Sequence, residues 1–88
     1  MNLREFRALE LARLARIRDE LMRKYPERAD RVREVCDQVA SKLYALRAYT
    51  LADFIYMLYN LSSEFPELKE LIPSEDVVKE LIGGGGNE

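Results

Sequence analysis

The sequence contains no histidine and only one cysteine, Cys36, among its 88 residues. The usual ligands of zinc and transition-metal sites are therefore missing, and an internal disulfide cannot form. These absences predict a protein without a metal or other cofactor that resides in a reducing compartment. Because Cys36 stands beside Val35 in an apolar region and no histidine can activate it, we expect a buried, unreactive thiol.

Long apolar runs are missing as well. The N-terminus reaches Arg4 and Glu5 at once, so it lacks the apolar core of a signal peptide, and the sequence has no apolar run of about twenty residues to span a bilayer. We therefore expect a cytoplasmic protein that does not enter membranes. Its composition, 48% apolar and 34% charged residues, is that of one soluble globular domain.

Glycine is confined to one place, positions 83–86, and only Asn87 and Glu88 follow it. Since glycine has no side chain to bury, the pattern predicts a flexible tail over 83–88 after a single domain over 1–82. A phosphate-binding loop would need a helix after the glycines, and two residues cannot supply one.

Charge is divided unevenly along the chain, although the net charge is only −2. Residues 1–47 hold twelve basic and eight acidic side chains, whereas residues 48–88 hold two basic and eight acidic ones. This asymmetry permits basic and acidic helices to pack side by side within one molecule, or molecules to pair head to tail. The excess of ten arginines over four lysines is also a weak marker of a hot environment.

The N-terminal part predicts two antiparallel helices. Asn2 is a good N-cap and Glu5 completes a capping box, so a first helix should begin there and run to Lys24 or Tyr25. Its apolar residues form one stripe at helical spacing. They are Leu3, Phe6, Leu14, Ile17, Leu21 and Tyr25. Pro26 ends this helix and suits the start of the next, which predicts an αα-hairpin.

The second helix has a coiled-coil-like seam that should face the first. The seam consists of Val32, Val35, Val39, Leu43 and Leu46. Whether residues 27–61 form one helix or two is open from the pattern alone, because the apolar stripe continues through Phe54. Thr50 followed by Asp53 is a helix-start signal, which favours a break before residue 51.

Two short helices are predicted near the C-terminus. Ser63 is a candidate cap for a turn that opens with Pro66, and Pro73 should stop that turn. Ser74 caps a last helix, with Gly83 as its C-terminal stop. The predicted fold is therefore all-α: a small antiparallel bundle of about four helices, with an αα-hairpin first and two short C-terminal helices.

Segment 51–61 is apolar around nearly its whole circumference, so other structure must cover it on several sides. We expect tyrosines on one side of this helix and Leu51, Phe54, Leu58 and Leu61 on the other. Tyrosine is enriched in binding hot spots, and a chain this small has a modest core. These features favour a non-catalytic interaction or structural subunit that binds copies of itself or another protein. The predicted interface comprises Tyr49, Tyr56, Tyr59 and Met57.

The alternative to a protein interface is a nucleic-acid interface on the first helix. Arginine holds phosphates well, and the candidate residues here are Arg4, Arg7, Arg13, Arg16 and Arg23. Acidic residues on the same helix dilute this charge, which favours a solvated face laced with ion pairs. No nucleophile, base and orienting group come together anywhere in the pattern, so we do not expect an enzyme.

Overall fold

The computed structural model of the protein describes residues 1–83. Over these residues the chain is helical without strands, which confirms the predicted all-α fold. The four α-helices are α1 (Leu3–Lys24), α2 (Ala29–Tyr44), α3 (Leu51–Leu61) and α4 (Glu75–Gly83). Three short 3₁₀-helices, Pro26–Arg28, Ala48–Thr50 and Pro66–Leu71, lie in the connections. Among the described residues, no helix has both the length and the apolar character needed to cross a membrane.

α1 begins as predicted, with a capping box between Asn2 and Glu5. The amide of Glu5 donates to Asn2 Oδ1 at 2.9 Å, and the amide of Asn2 donates to Glu5 Oε1 at 3.0 Å. Pro26 then opens the 3₁₀-turn that leads into α2. The apolar stripe of α1 and the seam of α2 are both buried, which confirms the αα-hairpin.

Residues 27–61 form two long elements rather than one, because α2 ends at Tyr44 and α3 begins at Leu51. Thr50 does not cap α3 as the sequence predicts. Its hydroxyl accepts from the amide of Arg47 at 2.9 Å and donates to the carbonyl of Arg47 at 3.1 Å, so it closes the Ala48–Thr50 turn instead. Thr50 therefore stabilises the 3₁₀-turn that precedes α3, and its side chain does not cap α3 itself.

α3 runs antiparallel to α2 and parallel to α1. At its beginning, Phe54 packs edge to face against Phe6, with ring centroids 6.5 Å apart. Just after its end, Glu64 binds Arg28, in the turn between α1 and α2, and Arg31, in the first turn of α2. These contacts fix both ends of α3 against the hairpin and give a rod-shaped molecule of 43 × 20 × 18 Å.

The 3₁₀-helix Pro66–Leu71 replaces the α-helical turn that we expect from the sequence. Ser63 does not cap it, because its hydroxyl donates to the carbonyl of Asn60 at 2.7 Å. A 3₁₀-helix has three residues per turn, so residues spaced by three lie in line. Phe65, Leu68 and Leu71 form a fully buried line. We call the parallel line of Glu64, Glu67 and Glu70 the acidic stripe.

The acidic stripe contacts the basic half of the chain. Glu70 binds Arg16, Glu67 accepts from Lys24 Nζ at 2.5 Å, and Glu64 accepts from the two arginines near the hairpin turn. Of the two arrangements that the charge asymmetry permits, the structure therefore contains the side-by-side packing within one molecule.

α4 closes the end of the bundle. Its first turn is capped as predicted, with the amide of Val77 donating to Ser74 Oγ at 3.3 Å. Leu81 is buried, and the N-terminal ammonium of Met1 contacts Glu80 Oε1 at 3.0 Å. Gly83, which the sequence predicts as the stop after this helix, is itself helical. The rest of the predicted tail, residues 84–88, lies outside the described residues.

Candidate interaction surface

α3 has one buried and one exposed face. At 100° per residue, the exposed residues fall on an arc of about 120°, on the side away from the core. We call this surface the tyrosine face. Its members are Tyr49, just before the helix, and Ala52, Asp53, Tyr56, Tyr59 and Asn60. The opposite face buries Leu51, Phe54, Met57 and Leu58.

The three tyrosines that the sequence predicts for an interface all lie on this surface. The exposed fractions are 86% for Tyr49, 70% for Tyr56 and 58% for Tyr59. Together they present about 400 Å² of phenol surface, since an aromatic side chain offers about 150–250 Å². The largest apolar patch of a typical monomer is about 300–600 Å² and is commonly functional. The other helices therefore leave these rings uncovered.

Met57 does not belong to the same surface. It is only 8% exposed, because it follows Phe54 by three residues and so lies on the buried side of α3. The sequence-predicted set thus mixes two faces of one helix. The structure brings the tyrosines together and places Met57 in the core.

The tyrosine face carries little charge. Asp53 is its only charged member, and no lysine or arginine belongs to it. Within residues 1–83, neither the Asp53 carboxylate nor the hydroxyl groups of Tyr49, Tyr56 and Tyr59 form a hydrogen bond or ion pair. The surface therefore offers one unpaired acceptor and three unpaired hydroxyls on an aromatic background.

A fourth exposed tyrosine, Tyr44, is missed by the sequence reasoning. It is 68% exposed at the end of α2. Its position in the sequence could have indicated this exposure. Leu43 belongs to the seam of α2 that faces α1, so the side chain of the next residue, Tyr44, points away from α1. Tyr44 lies on a different helix and is not part of the tyrosine face.

The arginines proposed for nucleic-acid binding do not form one surface. Arg7 is half-buried and donates to the carbonyl oxygens of Leu43 and Leu46, both at 2.9 Å. Arg16 binds Glu70 of the acidic stripe. Arg13 reaches Glu10 at 3.4 Å, whereas Arg4 and Arg23 are exposed. Three of the five candidates therefore contact groups of their own chain.

Glu10 is a buried charged residue that the sequence reasoning misses. It lies among the apolar residues of α1, where the spacing Leu3, Phe6, Leu14, Ile17 leaves one place vacant, at position 10. Its Oε2 atom is buried without a partner among the described residues. Burial raises the pKa of this carboxyl to about 7, against the opposing effect of Arg13. The gap in the apolar stripe is the signal that would have identified it.

A cleft of about 250 Å³ lies between α1 and the segment that leads into α4. Its walls include Phe6, Leu9, Ile72 and Val77, with Arg13 as the charged group. This volume is below the range of about 300–1,000 Å³ that is typical of ligand pockets. Glu10 does not reach the cleft, so its carboxyl is not available to a ligand there.

Among residues 1–83, the single thiol and the acidic side chains are the remaining candidates for chemistry. Cys36 is buried, as predicted, and burial raises the pKa of its thiol. No cluster of three acidic or cysteine side chains in this part of the chain is arranged to hold a metal ion. No protein-family model, curated protein sequence or solved structure matches the chain. The geometry of its own surfaces is therefore the basis for a functional proposal.

Proposed function

We propose that this protein is a non-catalytic interaction or structural subunit that self-associates through the tyrosine face. The observation that carries the proposal is the exposure of Tyr49, Tyr56 and Tyr59 on one side of α3. Aromatic side chains in water are costly for a small domain, and tyrosine is among the residues most enriched in binding hot spots. A cover for these rings would lower the free energy of the folded state.

Charge favours a second copy of the chain as that cover. The tyrosine face carries one carboxylate, from Asp53, so two such faces meet with only two like charges between them. The basic residues that would attract a polyanion lie elsewhere, and four of them, Arg16, Lys24, Arg28 and Arg31, bind the acidic stripe. Pairing therefore depends on aromatic burial and persists in salt, in contrast to a head-to-tail association of basic and acidic halves.

The size of the surface favours a dimer of moderate affinity. The phenol surface of about 400 Å² is roughly half of the 800 Å² that each partner contributes to a standard interface. We therefore expect a dissociation constant in the micromolar range. As part of the same proposal, we place the protein in the cytoplasm, because its only thiol, Cys36, is buried and unpaired.

Light scattering over a concentration series from about 10 μM to 1 mM, at low and high salt, tests the proposal. We expect the mass to rise from monomer to dimer in both salts. Tyr56→Glu should remain helical by circular dichroism but stay monomeric, since a carboxylate would enter the apolar contact. Tyr44→Glu is the matched control, because it makes the same change on an exposed tyrosine outside the tyrosine face. A wild-type monomer at the highest concentration would contradict the proposal.

A further inference from the structure

We infer that two copies pair antiparallel along α3, with a two-fold axis beside Tyr56 and a hydrogen bond from each Tyr59 hydroxyl to Asp53 of the other copy. This inference rests on the proposed self-association and adds its geometry. It follows from three features of the tyrosine face: the position of its single charge, the unpaired groups on either side of Tyr56, and the small residue Ala52.

The single charge selects the direction of pairing. A contact between identical surfaces is closed by a two-fold axis, which runs either along the helices or across them. An axis along α3 would pair the helices in parallel and place Asp53 opposite its own copy, where the two carboxylates repel. An axis across α3 makes the helices antiparallel, which also aligns their dipoles favourably.

The same charge excludes a register whose axis lies near residue 53. If the axis passes beside Tyr56, residue 53 of one copy lies opposite residue 59 of the other. The two Asp53 carboxylates are then six residues, or about 9 Å, apart along the helices. An axis near residue 53 would instead bring the two carboxylates together. Of these two registers, the one centred on Tyr56 separates the charges.

This register also supplies the missing hydrogen bonds. The Tyr59 hydroxyl and the Asp53 carboxylate are both unpaired within residues 1–83. A phenol donates well to a carboxylate, and such charge-assisted bonds are short and strong. Burial of Asp53 without a donor would be costly, so the hydroxyl of the opposite copy turns an unfavourable group into a specific contact.

The remaining residues fit the same arrangement. Ala52 lies opposite Asn60 of the partner subunit, and its small side chain lets the two helices approach closely. Tyr56 meets its own symmetry mate, where two rings can adopt the offset or edge-to-face geometry that aromatic pairs prefer. Tyr49 extends the contact towards Ser63 of the partner subunit. Every member of the tyrosine face then has a neighbour across the interface.

Disulfide cross-linking tests the register. We would prepare Ala52→Cys and Asn60→Cys as separate variants and oxidise each alone and as an equal mixture. The buried Cys36 should not react. The expected product is a cross-linked dimer from the mixture, with little from either variant alone, because residue 52 faces residue 60 of the other copy. Cross-linking of each variant with itself would show parallel pairing and overturn the inference.

The hydrogen bond has its own test. Tyr59→Phe keeps the ring and removes the hydroxyl, so we expect the dissociation constant to rise about 10-fold or more. Adding Asp53→Ala to Tyr59→Phe should restore part of the lost affinity, because it removes a buried carboxylate that no longer has a donor. Equal dissociation constants for the wild type and Tyr59→Phe would overturn the assignment. A wild-type protein that stays monomeric would refute the proposed function itself, so the two failures are distinguishable.

Discussion

Arg7 of α1 acts as a long-range cap for α2, with its Nε atom 2.9 Å from the carbonyl oxygen of Leu43. Its Nη2 atom binds the carbonyl oxygen of Leu46 at the same distance. The Leu43 carbonyl also accepts from the amide of Leu46 at 3.2 Å, and the Leu46 carbonyl accepts from Arg47 Nη1 at 2.9 Å. The guanidinium from 36 residues earlier therefore adds a further charged donor to each carbonyl at the end of α2. This fork joins the start of α1 to the corner between α2 and α3, and so helps to position the tyrosine face.

Arg7→Met should destabilise the protein by about 2 kcal/mol, because two carbonyls lose a charged donor while the aliphatic part of the side chain is kept. The stability of Arg7→Lys should lie between those of the wild type and Arg7→Met, since an ammonium keeps the charge but lacks the planar fork of the guanidinium. Urea unfolding at low micromolar concentration measures this. The control is Arg4→Met on the exposed side of α1, which should change the stability by less than about 0.5 kcal/mol. Equal effects of the two methionine variants would contradict a capping role for Arg7.

Features set by neighbours along the chain could be predicted from the sequence. The capping box of Asn2 and Glu5, the turn at Pro26 and the cap at Ser74 all depend on partners within a few residues. The exposed tyrosines of α3 belong to this group too, because helical periodicity alone separates them from Leu51 and Phe54.

Features set by distant partners could not be predicted. Thr50 and Ser63 match cap patterns, yet the end of α2 is fixed by Arg7, and the segment after Ser63 follows a period of three. That period is visible in the sequence as three triplets, Glu-Phe-Pro, Glu-Leu-Lys and Glu-Leu-Ile, over residues 64–72. The sequence does not show, however, that the three glutamates of this period bind cations of α1 and α2 in the folded chain.

The stability of the protein should fall as the pH rises from about 4.5 to about 7. Glu10 has a folded pKa of about 7, above its ordinary value of 4.5. Between these values the unfolded chain releases the proton while the folded chain keeps it, so stability decreases from about pH 4.5 and levels off above about pH 7. The shift corresponds to a loss of about 3 kcal/mol. Urea unfolding at about pH 5 and pH 8 measures it.

Two substitutions separate Glu10 from the other acids. Glu10→Gln should lose most of this slope and be more stable than the wild type at about pH 8, because a neutral amide replaces a buried charge. Glu27→Gln, at an exposed position, should keep the slope of the wild type. A slope that survives in Glu10→Gln would show that another group is responsible.

The acid side of the same profile has a different cause. The hydrogen bond with Arg31 lowers the pKa of Glu64, and the hydrogen bond with Lys24 lowers that of Glu67. Their contribution is therefore present above the ordinary carboxyl pKa and is lost as the pH falls through the lowered values. Together with Glu10, these groups should place the maximum of stability near pH 5.

The acidic stripe should also decide whether the basic half binds nucleic acid. Arg16, Lys24, Arg28 and Arg31 contact Glu64, Glu67 or Glu70, so their charge is compensated within the molecule. We expect the wild type to leave a DNA duplex unshifted in a gel at about 50 mM salt. Replacing all three glutamates of the stripe by glutamine should release the cations and produce a shift that salt abolishes steeply.

A variant of equal net charge provides the control for this experiment. Glu27→Gln, Asp37→Asn and Asp76→Asn together also remove three negative charges, but they leave the ion pairs of the stripe intact. If binding depends on released cations, this variant should not shift DNA, whereas net charge alone would make both variants bind. Salt-sensitive binding by the wild type would contradict the prediction and would favour the arginine-rich face of α1 as a nucleic-acid surface.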